Sequence, residues 1–313
     1  QTLIPGLVIM DGSQTALAMQ DVALPGHELV KRFLGNPDDS IATPTPAQKL
    51  LFGDHRRRVP RWYDPDRPVL LGGVHSTTSW GLGKAAHDLF FVQHLKAELD
   101  QAFTQFAHLT GREHRAVSAH RLDDAGLVLV AQGAAIETAE AVCDHLRSAA
   151  RLKVGVLGLR SLRPFPGARI AELLRRKQRV CVLERMQSPA AGAPPLMREM
   201  QAALARALEN GRARVQIHPG YPAMTEGEFP RTLSVIYGLG GLPLRGADLI
   251  ELCTGAQAVE QAQVYLGLAL SPEESLYPKR QVLLDRLRRE YPDIAGSGLT
   301  GATKSPDLRP PDA

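Results

Sequence analysis

Residues Leu127 to Leu146 read LVLVAQGAAIETAEAVCDHL. Five apolar or small residues lead through Gln132 to Gly133, and a helical pattern begins at once. Ile136, Ala139, Cys143, Leu146 and Ala150 recur every three or four residues, which puts them on one stripe, while Glu137, Glu140 and Asp144 fall largely off it. A strand, a glycine turn and a helix in this order open an α/β unit. The turn either cradles a phosphate or makes the first crossing of a packed sheet. A dinucleotide fingerprint needs three glycines, for the turn, for close approach of the pyrophosphate and for helix packing. Here Gly133 is followed by Ala134, Ala135 and Ile136, and no GK[ST] follows either. Glu137 suits the positive end of the helix dipole but would repel an arriving phosphate. Only the general attraction of a helix N-terminus for anions remains, so the residues favour the crossing.

The alternation continues downstream. Lys153 to Leu159 reads as a strand, Gly167 to Arg176 as a helix, Arg179 to Leu183 as a strand, Leu196 to Leu208 as a helix and Arg214 to His218 as a strand, with a helical segment over Gly246 to Leu266. Val- and Leu-rich strands joined through helices form right-handed βαβ units, which predicts an α/β fold with a mainly parallel sheet flanked by helices over 121–270. Upstream, Leu7 to Met10 reads as a strand ending in Asp11-Gly12, and Gly26 to Leu34 as a helix, as if part of another α/β domain occupied 1–120. The proline-rich stretch Asn36 to Pro68, with the basic run His55 to Arg58, reads as an extended surface connection with a solvated basic face. Lys84 to His108 carries an apolar stripe through Leu89, Val92, Leu95, Leu99, Phe103 and Phe106. His87 and His94 on that helix lack the accompanying carboxylate of a metal helix. In 271–313, Lys279 to Ile294, after Tyr277-Pro278, reads as a short amphipathic helix, and Gly296 to Ala313 as too poor in apolar residues to pack.

The chain has 313 residues, 44% of them hydrophobic, enough for two domains and a tail. It opens at Gln1 with no charged-then-apolar leader, which reads as a processed or cut terminus and a fragment of something longer. No apolar run approaches the roughly 20 residues that cross a bilayer, so no membrane association and a cytoplasmic location are expected. Cys143, Cys181 and Cys253 lie far apart, which excludes a CxxC motif and makes each a small buried residue of a reducing compartment. Lys and Arg number 37 against 33 Asp and Glu, a net charge of +4 that leans slightly towards acidic partners and is too balanced for nucleic-acid binding.

The order of these segments resembles the second domain of the pyruvate:ferredoxin oxidoreductase family, the thiamine-diphosphate-dependent 2-oxoacid:acceptor oxidoreductases. Gly133 to Thr138 is similar to that family's first crossing, and Arg160 with Arg163-Pro164-Phe165 to its Arg-x-x-Arg-Pro-Phe segment. Glu184-Arg185 with Pro189, Gly192 and Pro194 is similar to its acidic-Arg, Pro and Gly-x-Pro loop, and Tyr237-Gly238-Leu239-Gly240 to its Tyr-Gly-Leu-Gly turn. Ile9-Met10-Asp11-Gly12 with Thr15 resembles a segment near the end of the family's first domain, and Leu109-Thr110-Gly111-Arg112 the helix end before the second. The sequence departs from the family at Ser13-Gln14, at Leu17-Ala18 and at Gly73-Val74-His75-Ser76, so pyruvate is not implied as the substrate.

The resemblance implies the end of a pyrimidine-binding-type domain and a transketolase C-terminal-like domain, acting as a structural, interface-forming component of a 2-oxoacid:ferredoxin oxidoreductase. Such a holoenzyme uses thiamine diphosphate, magnesium and iron–sulfur clusters, passes electrons to a ferredoxin-type acceptor, and delivers its acyl group to coenzyme A. The resemblance implies no cofactor, metal or catalytic residue in this chain alone; three scattered cysteines are too few for a cluster. Its partners would be the other domains or subunits of the enzyme. Arg160, Arg163, Glu184 and Arg185 fall at or near strand ends and are candidates for interface contacts or structural ion pairs. Two other readings stay open, a β-type subunit of a thiamine-dependent 2-oxoacid dehydrogenase and a non-catalytic α/β interaction module.

Overall fold

The computed structural model describes residues 2–12, 15–17, 19, 21–61, 63, 65–66, 73–255, 261–270, 277–302, 304, 306 and 308. The chain forms two compact units, one of residues 1–9 and 19–116 and the other of residues 10–18 and 117–313.

In the first unit α1 (His27–Leu34) precedes β1 (Ser40–Ala42), α2 (Pro46–Phe52) and β2 (His55–Arg57); α3 (Thr77–His87) then runs through one π-helical turn, Asp88–Val92, into α4 (Gln93–Thr110). The apolar stripe thus lies on a helix, interrupted by that turn. The proline-rich stretch is not simply an extended connection, because β1 and β2 pair antiparallel with Ile41 opposite Arg56. Nor is its basic run a solvated face throughout. The two-residue alternation turns Arg56 inward, where Nε donates to Gln48 Oε1 at 2.7 Å and Nη1 donates to the carbonyls of Arg57 and Arg58, both at 2.7 Å. Leu7 to Met10 is exposed and not a strand.

The second unit follows β3 (Val117–His120), β4 (Leu127–Gln132), α5 (Ala135–Ala149), β5 (Val154–Leu159), α6 (Gly167–Leu174), β6 (Arg179–Glu184), α7 (Pro195–Arg212), β7 (Arg231–Ile236), α8 (Gly246–Thr254), β8 (Gln263–Leu266), α9 (Pro278–Glu290), α10 (Pro292–Ala295) and β9 (Gly298–Leu299). These strands make one sheet in the order β3-β5-β4-β6-β7-β8-β9, in which only β3 runs antiparallel. The period of two splits each strand between two cores. Leu127, Leu129, Ala131, Cys181, Leu183, Leu233 and Val235 face α5 and α8, while Val128, Val130, Val180 and Val182 face α6 and α7. A sheet covered on both sides has near-continuous apolar strands, which is why β4, β5 and β6 are so plain in the sequence. All three cysteines are buried and unpaired.

Three expectations give way here. Arg214 to His218 is a loop, with Val215 and Ile217 exposed at 73% and 56%, and the next strand is β7. Gly246 to Leu266 holds β8 as well as α8. Gly298 and Leu299, expected to be unpacked, add the last strand to the sheet, and Leu299 is buried. Of the tail beyond residue 302, only 304, 306 and 308 are described, and Leu308 packs against the core. No described helix is long and apolar enough to cross a membrane.

Candidate functional site

β4 lies between β5 and β6, so the chain leaves β4 in one direction and later passes it in the other. In open α/β sheets such a switch point leaves a crevice beyond the carboxyl ends of the strands, where ligands usually bind. Gly133 after β4, Arg160 after β5, Glu184 and Arg185 at the end of β6, and Tyr237 after β7 all lie on that edge.

The chain's own Asp11 lies in this crevice. Arg185 Nη1 donates to Asp11 Oδ1 at 3.1 Å, and a Cβ on Gly133 would lie 3.9 Å from Asp11. Gly238 positions the arginine from the other side. It has a φ of 69°, and a Cβ there would come within 2.8 Å of the Arg185 side chain, so only glycine leaves room for the guanidinium and its stem. Tyr237 is half-buried beside this pair; burial raises its hydroxyl pKa and Asp11 adds to the rise, while Arg185 opposes it. The remaining space, lined by Asp11, Arg185, Tyr237 and Gly241 to Leu244, is about 90 Å³. Small-molecule sites span roughly 300–1,000 Å³.

Glu184 fills a second anion position. Its Oε1 accepts from the Leu196 N–H at 2.7 Å and its Oε2 from the Met197 N–H at 3.0 Å. α7 opens on Pro194 and Pro195, which have no N–H, so these are the first two free donors of the helix. Burial raises the Glu184 carboxyl pKa, and the two N–H bonds and Arg198 hold it down in part. At α8 the helix's own Asp248 is buried, accepts from Arg245 Nε at 2.9 Å and accepts from the Gly301 N–H at 2.8 Å, which ties the strand after α10 to the helix start.

The four candidate residues therefore do not converge. Arg163, 70% exposed, pairs with Glu199 of α7 at 2.6 Å, and Ser161 Oγ donates to the Pro164 carbonyl behind a cis Arg163–Pro164 bond. Arg160 is exposed and has no hydrogen bond or ion pair among the described residues. Sequence reasoning treated Asp11 only as part of a motif and missed Asp248; neither has a local pattern that reveals its distant partner.

The donor set also decides what this chain can hold. Burial pushes the Cys181 thiol up to about 12 and raises Cys143 and Cys253 as well, which keeps all three protonated and unsuited to a cluster. Among the described residues, one group of three has metal-ligating atoms close together, His120, Cys143 and Asp144. Cys143 donates to the Val154 carbonyl, Asp144 accepts from His120 and Arg121, and the Arg147 guanidinium donates to the same Val154 carbonyl, so a cation would face two guanidiniums. Among the described residues, these buried thiols do not suit an iron–sulfur cluster, and the His120 group does not suit a cation.

Residues 125–219 match the pyruvate:ferredoxin oxidoreductase core domain II. A putative pyruvate-flavodoxin oxidoreductase of Synechocystis is 29% identical over 72% of this chain, which covers 18% of that relative. The pyruvate synthase subunits PorA of Methanothermobacter thermautotrophicus and Thermotoga maritima are 25% and 27% identical over 85% of the chain, which covers 57% and 58% of them.

Proposed function

We propose that the chain is a member of the pyruvate:ferredoxin oxidoreductase family, whose core domain II residues 125–219 match, and a component of an enzyme that oxidatively decarboxylates a 2-oxoacid, with a structural and interface-forming part in it. The observation that carries this reading is the carboxyl edge of the sheet. Four family-like segments end there, while Arg185 is paired with Asp11, the first free N–H groups of α7 with Glu184, and Asp248 in the first turn of α8 with Arg245 and the Gly301 N–H. An edge so occupied supports packing rather than cofactor binding. Thiamine diphosphate, magnesium and the clusters would be supplied by other domains or subunits, as would the sites for coenzyme A and a ferredoxin-type acceptor, in the cytoplasm. In this reading Arg160, exposed and unpaired among the described residues, and Arg163 are interface contacts, and Glu184 and Arg185 are structural.

The test is to purify the natural full-length protein with its co-expressed neighbours and follow viologen reduction with pyruvate and other 2-oxoacids. The proposal expects a thiamine-diphosphate- and cluster-containing assembly that reduces the dye. It fails if the assembly lacks clusters and instead passes electrons to a dehydrogenase-type lipoyl carrier, or if the protein neither assembles nor retains thiamine diphosphate.

A further inference from the structure

Residues 10–18 are an excursion. The chain on both sides of them belongs to the first unit, yet they belong to the second. Met10 and Leu17 are exposed, and within the segment the Ala16 N–H donates to the Asp11 carbonyl at 3.2 Å. One pairing reaches far into the second unit, that of Asp11 with Arg185, 174 residues away, at 3.1 Å with side chains 23% and 34% exposed. Arg185 is itself prepared for this role. It follows directly on the buried Glu184 anchored at α7, and Gly238 leaves its stem a slot in which a Cβ would come within 2.8 Å of it.

We propose that Asp11 and Arg185 form a clasp that seats the chain around Asp11, residues 10–12, on the carboxyl edge of the sheet, with the switch-point crevice acting as a receptor for a carboxylate of the same chain. This goes beyond the proposed function and does not depend on it. A partly buried ion pair of this kind contributes up to about 1 kcal/mol, roughly a fivefold change in the opening equilibrium of the segment it holds.

Hydrogen exchange read on peptides covering residues 10–18 of the full chain tests the clasp. Arg185→Met and Asp11→Asn are each expected to speed exchange of the segment about fivefold, the double variant no more than either single one, and the reversed pair Asp11→Arg with Arg185→Asp to restore part of the protection. Peptides from α5 and α7 report in the same experiment that the fold is intact. The inference is overturned if both single variants exchange as the unaltered protein does with those helices still protected, or if the two effects add in the double variant, which would show that the residues act independently.

Discussion

Replacing Glu184 tests how the edge is built, because this carboxylate is the cap of a helix that cannot cap itself. Its two oxygens take the N–H groups of Leu196 and Met197 at 2.7 and 3.0 Å, inside a buried site. Glu184→Ala removes both acceptors and leaves two buried donors without partners, each costing ~1–3 kcal/mol, so a loss of about 3 kcal/mol is expected. Glu184→Gln keeps one oxygen for one N–H and turns an amide NH2 towards the other, for about 1 kcal/mol. The dependence on pH has a definite sign. Burial raises the folded carboxyl pKa above its unfolded value, so the folded state binds a proton more tightly. That contribution to stability is complete below about pH 4.3 and is lost as pH rises through the folded pKa. The gap between the unaltered protein and Glu184→Gln, a neutral isostere, is therefore widest in acid and narrows towards neutrality. Urea unfolding followed by far-UV circular dichroism measures this. Fluorescence of Trp80 serves as an internal control, because Trp80 belongs to the first unit and should report an unchanged transition. A Glu184→Ala protein within 0.5 kcal/mol of the original (~0.5, the scatter of ordinary surface changes), or a Glu184→Gln gap that widens with pH, would refute the account.

Three further outcomes are expected in the second unit. Glu228 accepts from Arg175 Nη2 and Arg176 Nε, both at 2.7 Å, and from the Thr225 N–H at 3.0 Å; Arg175 above all holds its carboxyl well below the usual range. Because that pKa is depressed, its contribution is present above about pH 4.3 and lost as pH falls, so Glu228→Gln should flatten the acid limb of the stability curve in a pH series of melts. Gly211→Ala places a Cβ 2.0 Å from the Met224 carbonyl oxygen, where α7 meets a loop backbone that also donates to the Ala207 carbonyl; about 3 kcal/mol should be lost in the same urea assay. Leu299→Ala empties a buried position on the two-residue edge strand and should cost about 2–3 kcal/mol, with faster exchange at the Tyr265 amide that bonds to Ser297; an unchanged midpoint would mean that the strand adds nothing to the sheet.

What could be read from the sequence followed from how each element is buried. β4, β5 and β6 are covered on both faces and are therefore continuous apolar runs with helical patterns between them. Arg214 to His218 mimics that signal with Val215 and Ile217 alternating, but α7, at about 1.5 Å per residue over its 18 residues, carries the chain past the length of a strand and the loop must bring it back. Asn210 pins that return, its Nδ2 donating to the His218 and Tyr221 carbonyls at 2.9 and 3.1 Å and its Oδ1 accepting from the His218 N–H at 2.8 Å. β9 pairs through two residues and is too short for any periodicity. At the site, the strand-end positions of Glu184 and Arg185 were legible but their roles were not, since their partners lie 12 and 174 residues away. One signal did exist. A helix that opens on two prolines has neither a capping side chain nor a first N–H, so its cap had to come from elsewhere.

The same physics links the pieces of the edge. A helix N-terminus carries about half a positive charge, and a free one at a switch point is a ready phosphate site. Here the first free N–H groups of α7 are taken by Glu184, Arg185 at the crevice by Asp11, and the first turn of α8 carries the buried Asp248. A phosphate entering the crevice or reaching α7 would meet a carboxylate of like charge already paired there. At the crevice its binding means breaking the Arg185 pair, and at α7 it means leaving a raised-pKa carboxyl without its donors. One fold can thus keep the architecture of a nucleotide-binding sheet while its strand-end arginine and its α7 N-terminus hold carboxylates of its own chain.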